Sequence, residues 1–241
     1  MNKYNIFINF ALMKKVIIIA VAIVLAGLML PVSVSKLKSY DRTVDVKGLC
    51  EKEVRADKVI WPLTYKVVGN DLNSALAEIE SDNAAIMAFL HNGGISDADI
   101  TVKAPEISDK YASEYGNNDR VYRFLCTCVI TVCTSDVDKV LELQTRLSDL
   151  MKGGVALTTN DWQYQTQYKF EALNDIKPAM IEEATANARE AARKFAQDSG
   201  SRLGKIKNAS QGTFSIEDRD THTPYIKKVR VVTYVTYYLN R

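Results

Sequence analysis

The chain reads as an α+β protein: antiparallel sheets with helices packed on one side, two β-α-β-β units following an N-terminal apolar segment. Three observations predict it. Alternating apolar and polar stretches recur around two long segments of helical spacing. Glycines close each helical segment. An uncharged run at 16–30 precedes the first alternating stretch.

That run, VIIIAVAIVLAGLML, follows Lys14 and Lys15. With Pro31 and Val32 it is just long enough, at about 1.5 Å per residue, for a hydrocarbon layer of about 30 Å. Position and basic flank equally fit a signal peptide, with Ser33 and Ser35 as the small residues of a cleavage site. Either way the rest of the chain is expected to be exported, cleaved free or anchored in a membrane through residues 16–32. The length of the run favours the anchor. Met13 is an alternative start, because MKKVIII is the more typical opening. The expected division is 1–35 signal peptide or anchor, 36–42 linker and 43–241 globular domain.

The charge balance of 31 Lys plus Arg against 29 Asp plus Glu leaves no field that would draw nucleic acid. Apolar residues at 47 % supply a proper core.

From Thr43 the pattern becomes regular. Residues 43–56 alternate through Val44, Val46 and Val54, with Gly48 as a bulge. Asp57 and Lys58 turn the chain into a second strand, 59–69, in which Pro62 marks an edge or irregularity. A helix follows, capped by Asn70, Asp71 or Asn73, with Leu72, Ala75, Leu76, Ile79, Ile86 and Leu90 at helical spacing, and it ends at Gly93 and Gly94. Residues 99–113 and 120–134 read as a hairpin whose second arm, rich in β-branched and aromatic residues, is central.

A short helix capped by Ser135 then closes at Gly153 and Gly154. Residues 155–170 read as a strand carrying Trp162, Tyr164, Thr166, Tyr168 and Phe170 in alternation. A long helix spans about 174–199, with a seam of Ile181, Ala184, Ala188, Ala191 and Phe195, and stops at Gly200. Strands at 204–216 and 226–239 finish the chain. The last is long, apolar and terminal, so Val229, Val231 and Val235, together with Val44, Val46 and Val54 of the first strand, are expected at edges that pair with a neighbouring subunit.

Chemistry-bearing motifs are sparse. No G-x-S-x-G elbow is present, and the glycine pairs follow helices instead of opening them, which removes the usual phosphate cradle. His91 sits where a cation favours a helix C-terminus. The loop Glu217 to His222 gathers carboxylates and an imidazole without a recognised ligand spacing. Cys126 and Cys128 share one face of a strand and Cys133 points to the other; with Cys50 they read as small buried apolar residues. No catalytic residue, cofactor or metal is expected. Trp162, Tyr164 and Tyr168 form a candidate pocket for an apolar or sugar-like molecule.

Three passages together resemble the SIMPL domain family, once classed as a domain of unknown function. They are Val44, Val46, Gly48, Glu53, Val54 and Asp57; then Leu90, Gly94, Ile95, Asp99 and Ile100; then Ala184, Ala188, Ala191, Ala192, Phe195, Ala196, Gly200, Leu203, Gly204 and Ile206. The similarity spans about 43–240. Val121 and Tyr122 depart from the family's Gly-Tyr. The resemblance implies export to the periplasm or anchoring in the envelope, no established catalytic activity, large ring-like homo-oligomers in one periplasmic immunogenic member, and an association with oxidative-stress protection. The resulting expectation is a self-assembling structural or interaction module and not an enzyme. The alternatives are a periplasmic small-ligand-binding module and a redox protein using Cys50, Cys126 or Cys128.

Overall fold

The computed structural model describes residues 42–112, 121–158 and 161–240, with six positions of the N-terminal run (19–21, 23, 24 and 27). Strands β1 (Thr43–Arg55) and β2 (Lys58–Gly69) lead into helix α1 (Leu72–Asn92), a 3-10 turn (Asp97–Asp99), β3 (Ile100–Val102), β4 (Glu106–Asp109) and β5 (Phe124–Thr134). Next come α2 (Val137–Thr145), α3 (Leu147–Lys152), β6 (Gln167–Lys169), α4 (Leu173–Asp198), β7 (Arg202–Gln211), β8 (Ser215–Asp218) and β9 (Ile226–Asn240).

Two antiparallel sheets result. One has the order β3-β5-β2-β6 with β4 also on β5; the other has the order β1-β9-β7 with β8 also on β9. They follow one plan: a long strand (β5 or β9) lies between a long partner (β2 or β1) and two strands in line (β3 and β4, or β7 and β8). The expected pairing of units holds with one exchange. β6, the strand preceding α4, joins the sheet of β2, and β1 takes the corresponding place beside β9.

The chain divides into two units, one of residues 1–50, 179–214 and 231–241, the other of residues 51–178 and 215–230. In the second, Val59, Trp61, Leu63, Tyr65 and Val67 of β2 and Cys126, Cys128, Ile130 and Val132 of β5 point to one face. Ala75, Ile79, Ile86 and Leu90 of α1 and Val137, Val140 and Leu143 of α2 cover it. The period of two on the strands meets the 3.6-residue stripe of the helices, which is what puts the helices on one side. Within this core the Tyr65 hydroxyl donates to Asn83 Oδ1 at 2.7 Å. Asp57 ties the β1–β2 turn to the chain after β6: its carboxylate accepts from Glu171 N at 2.8 and 3.0 Å and from Ala172 N at 2.7 Å.

In the first unit the core is small: Val46, Ala188, Ala192, Val235 and Tyr237, with Val44, Ala191 and Leu203 packed around them. Helix α4 buries Met180, Ala184, Ala188, Ala192 and Ala196, a strict four-residue row. The expected seam therefore turns: Ala184 and Ala188 belong to it, Ile181 and Ala191 flank it, and Phe195 is 61 % exposed. Gly48 takes an inward position between buried Val46 and Cys50, in an alternation that continues without a phase change. Its purpose is close approach and not the expected bulge. A Cβ there would lie 1.8 Å from Ala184 O and 2.6 Å from Ala188 N.

Four other expectations change. The first hairpin arm is two strands, β3 and β4, because Pro105 lacks the N–H that would continue the ladder between them. The short helix is capped by Asp136, whose side chain accepts from Lys139 N, and it breaks at Arg146 into α2 and α3. Residues 204–216 likewise split, β7 ending at Gln211 and β8 starting at Ser215. The strand expected over 155–170 shrinks to β6 and a single bridge, Leu157 to Tyr65. Asp161 diverts it: its carboxylate accepts from Gln163 N and its carbonyl from Tyr164 N, a local turn that competes with the ladder. The helix caps at Asp71, Gly94 (φ +79°) and Gly200 (φ +64°) agree with the sequence.

Among the described residues no helix is long and apolar enough to cross a membrane, and most of the expected anchor at 16–32 lies outside them. The described positions of that run are helical, and Ile19, Val21, Ile23 and Val24 are exposed.

Because backbone stands where a Cβ would go, Gly48→Ala is expected to cost about 3 kcal/mol, the upper end for overpacking. Chemical denaturation of the parent and the variant measures it; a loss below about 1 kcal/mol would mean that α4 can shift away from β1.

Candidate functional site

The positions expected at assembly edges divide. Val229, Val231 and Val235 are buried on β9, which is paired on both sides, so the last strand is not an edge. The physical reason is the exchange that brings β1 to its far side. Val46 is buried, and Val44 and Val54 are half-buried, on β1. β1 does end its sheet: among the described residues no strand pairs with its second edge, and α4 reaches one group there, Asn187 Nδ2 donating to Leu49 O at 2.8 Å. The opposite end is β7, paired only with β9 and exposed on both faces from Lys205 to Gln211.

The three expected pocket aromatics do not share one wall. Trp162 is 85 % exposed, on the turn made by Asp161. Tyr168 is in the core, its ring edge-on to Tyr225 at 6.1 Å and its hydroxyl donating to Gln144 Oε1 at 3.0 Å. Burial pushes its hydroxyl pKa up. Only Tyr164 lines a cleft.

That cleft, of about 300 Å³, opens where the sheet is interrupted. β6 pairs with β2 only as far as Gln167 opposite Ile60, and the chain returns to β2 at Leu157 opposite Tyr65. Between these points Trp61, Pro62 and Leu63 face the gap, and Gln144, Asp161 and Tyr164 are among the residues that close it. Pro62 has no N–H to offer a ladder at this point, which is the irregularity its position predicts. Gln144 Nε2 donates to Thr166 Oγ1 at 3.4 Å, and Lys66 Nζ lies 3.9 Å from Asp161 Oδ2. Thr64 also lines the cleft, and its Oγ1, buried, has no hydrogen-bond partner among the described residues. Hydroxyls, carboxamides and one carboxylate over an indole suit a neutral, polar small molecule. Pro62 and Tyr164 are the sequence signals for this cleft; Gln144 and Thr64 had none.

The cysteines lie as the strand period requires. Cys126 and Cys128 are buried on one face of β5, Cys133 is exposed on the other, and these three are free, while Cys50 is buried on β1. Burial pushes the Cys126 and Cys128 thiols up, and Cys128 also feels the Tyr65 hydroxyl. In the 217–222 loop, Asp220 turns inward on its own backbone, accepting from His222 N and Thr223 N at 2.8 Å each, with Arg219 Nε at 3.0 Å. The Thr223 hydroxyl and these donors hold its carboxyl far below the usual range. Asp218 pairs with Lys227. Among the described residues no group of three His, Cys, Asp or Glu is placed to hold a metal. His91 Nε2 sits 2.7 Å from Asp97 Oδ1 at the end of α1.

The family model described as SIMPL, protein of unknown function (DUF541), matches residues 44–236. Among curated proteins no match was found. The chain belongs to the SIMPL family.

Thiol reactivity should follow burial, since the thiolate is the reactive form and needs access. A small alkylating agent at neutral pH is expected to label Cys133 while Cys50, Cys126 and Cys128 react on the order of tenfold slower or less. Mass spectrometry of timed samples reads this out. Rapid labelling of Cys126 or Cys128 would revive a redox role for that face of β5.

Proposed function

We propose that this SIMPL-family chain is an exported envelope protein, held in the inner membrane by residues 16–32 or freed by cleavage after them, whose domain self-assembles in the periplasm. The exposed apolar side chains of Ile19, Val21, Ile23 and Val24 support the membrane part, because a helix surface of this kind is stable in lipid and costly in water. The carrying observation for assembly is that β1, 13 residues long, and β7 both end their sheet with a side that no strand pairs among the described residues. Rows of free N–H and C=O groups are templates for a strand from another copy. On β7, Lys205 and Lys207 blunt the first half, which leaves Asn208 to Gln211 as the neutral stretch. A part in oxidative-stress protection belongs to this reading through the family resemblance alone.

A second reading, a small-ligand-binding module, is favoured by the cleft beside Pro62 with its unpartnered Thr64 hydroxyl. Trp61 at that cleft provides its readout. In a Trp162→Phe background, titration with neutral sugars or amides should shift Trp61 emission, and a flat response would dismiss these ligands.

Assembly is tested by light scattering on the full chain in detergent. Gly212 N donates to Val232 O, so by the period of two Asn208 and Ser210 also face β9 while Ala209 and Gln211 aim their N–H groups outward. Ala209→Pro therefore removes a donor from the free edge only. The unmodified chain is expected as a discrete oligomer, and Ala209→Pro or Leu49→Lys should reduce its mass with circular dichroism unchanged. A monomeric parent would end the self-assembly reading; an oligomer untouched by both variants would end the strand-edge version.

A further inference from the structure

Within the first unit, α4 does not cover all of β7. Between them lies a groove of about 420 Å³, lined by Arg189 and Arg193 of α4, Leu203, Gly204, Lys205 and Ile206 of β7, and Tyr237 of β9. Three features single it out. Tyr237 is 2 % exposed, and its hydroxyl has no hydrogen-bond partner among the described residues, an arrangement that native interiors avoid. Among the described residues Arg189, Arg193 and Lys205 likewise carry no ion pair or hydrogen bond. Glu182 and Glu190 border the outer surface of α4 next to the arginines but not the groove.

The third feature is in the strand. Pairing of β7 with β9 slips twice around this point, between Leu203 and Ile206 and between Ile206 and Asn208, each time with one extra residue on β7. Bulges of this kind re-aim side chains and recur beside binding sites. They place Ile206 opposite Tyr237 and put Gly204 and Lys205 on the groove wall.

A buried hydroxyl donor, two guanidinium groups one helical turn apart and an ammonium make a donor set without an acceptor to match. Such a set suits a dianion with several oxygens more than a single carboxylate. We propose that this groove binds a phosphoryl group, with the Tyr237 hydroxyl, Arg189, Arg193 and Lys205 as donors and Leu203 and Ile206 against whatever the group is attached to. The group is either free phosphate or the headgroup of a phospholipid. The site stands apart from self-assembly, so the oligomer mass of its variants should equal that of the parent.

The test is calorimetric titration of the full chain in non-ionic detergent, at constant ionic strength, with inorganic phosphate and with a short-chain phosphatidic acid. Saturable heat is expected with at least one of them. Tyr237→Phe, which removes only the hydroxyl, should weaken binding about fivefold, and Arg189→Gln with Arg193→Gln about tenfold or more. The arginines are exposed on α4 and Tyr237 loses no protein partner, so thermal melting of the variants should match the parent. Tighter binding of the phosphatidic acid identifies a lipid headgroup; equal or weaker binding identifies phosphate itself. No saturable heat with either probe, or unchanged affinity in both variants, overturns the proposal.

Discussion

The absence of a side chain at position 48 governs how α4 lies on its sheet. Backbone atoms of Ala184 and Ala188 occupy the space a Cβ would need, so strand and helix meet almost backbone to backbone. The alanine row of α4 is the other half of that fit: Ala184, Ala188, Ala192 and Ala196 bury little surface each but allow the approach. A core of this kind gains from close packing more than from the amount of apolar area removed from water. The helix seated over β1 and β9 has no width left to cover β7, and the β7 face and the groove beside it remain open.

The second unit is held differently. Long apolar side chains of α1 and α2 fill the face of β2 and β5, and polar atoms within it are matched, as Tyr65 is by Asn83. Turn chemistry then does locally what packing does globally. Asp57 binds the chain after β6 through two backbone N–H groups, and Asp161 folds the residues ahead of β6 into a turn that keeps them out of the sheet. The gap so left on β2 is the cleft. The cleft and the groove thus arise where a sheet is incompletely covered or paired, and each contains a buried hydroxyl with no partner among the described residues, Thr64 in one and Tyr237 in the other. Leaving such a group unsatisfied costs about 1–3 kcal/mol, which is why these two mark the places to look for ligands.

Much of this was legible from residue order. Helix ends at Asp71, Gly94 and Gly200, the alternation on β1, β2 and β5, the two faces of the cysteine strand and the family's three passages are local properties of short windows. Misreadings came where one local signal overrode another. Pro105 split an arm, and Asp161 dissolved a strand whose aromatic alternation was otherwise persuasive. The candidate pocket failed as a set for that reason: once the strand is gone, Trp162, Tyr164 and Tyr168 no longer share a face.

By itself, then, the sequence determined the element types, their order, most of their ends and the family, because dihedral preference, capping and apolar period act over a few residues. Only the tertiary structure decided which strand lies beside which. Backbone hydrogen bonds are the same for every residue type but proline, and β9 has no proline, so nothing in its composition told an edge from a centre. Its buried Val229, Val231 and Val235 acquire their place from β1, which arrives from the other end of the chain. The same holds for the groove: Arg189, Lys205 and Tyr237 are unremarkable singly, and gain a common chemistry because helix and strands bring them to one cavity.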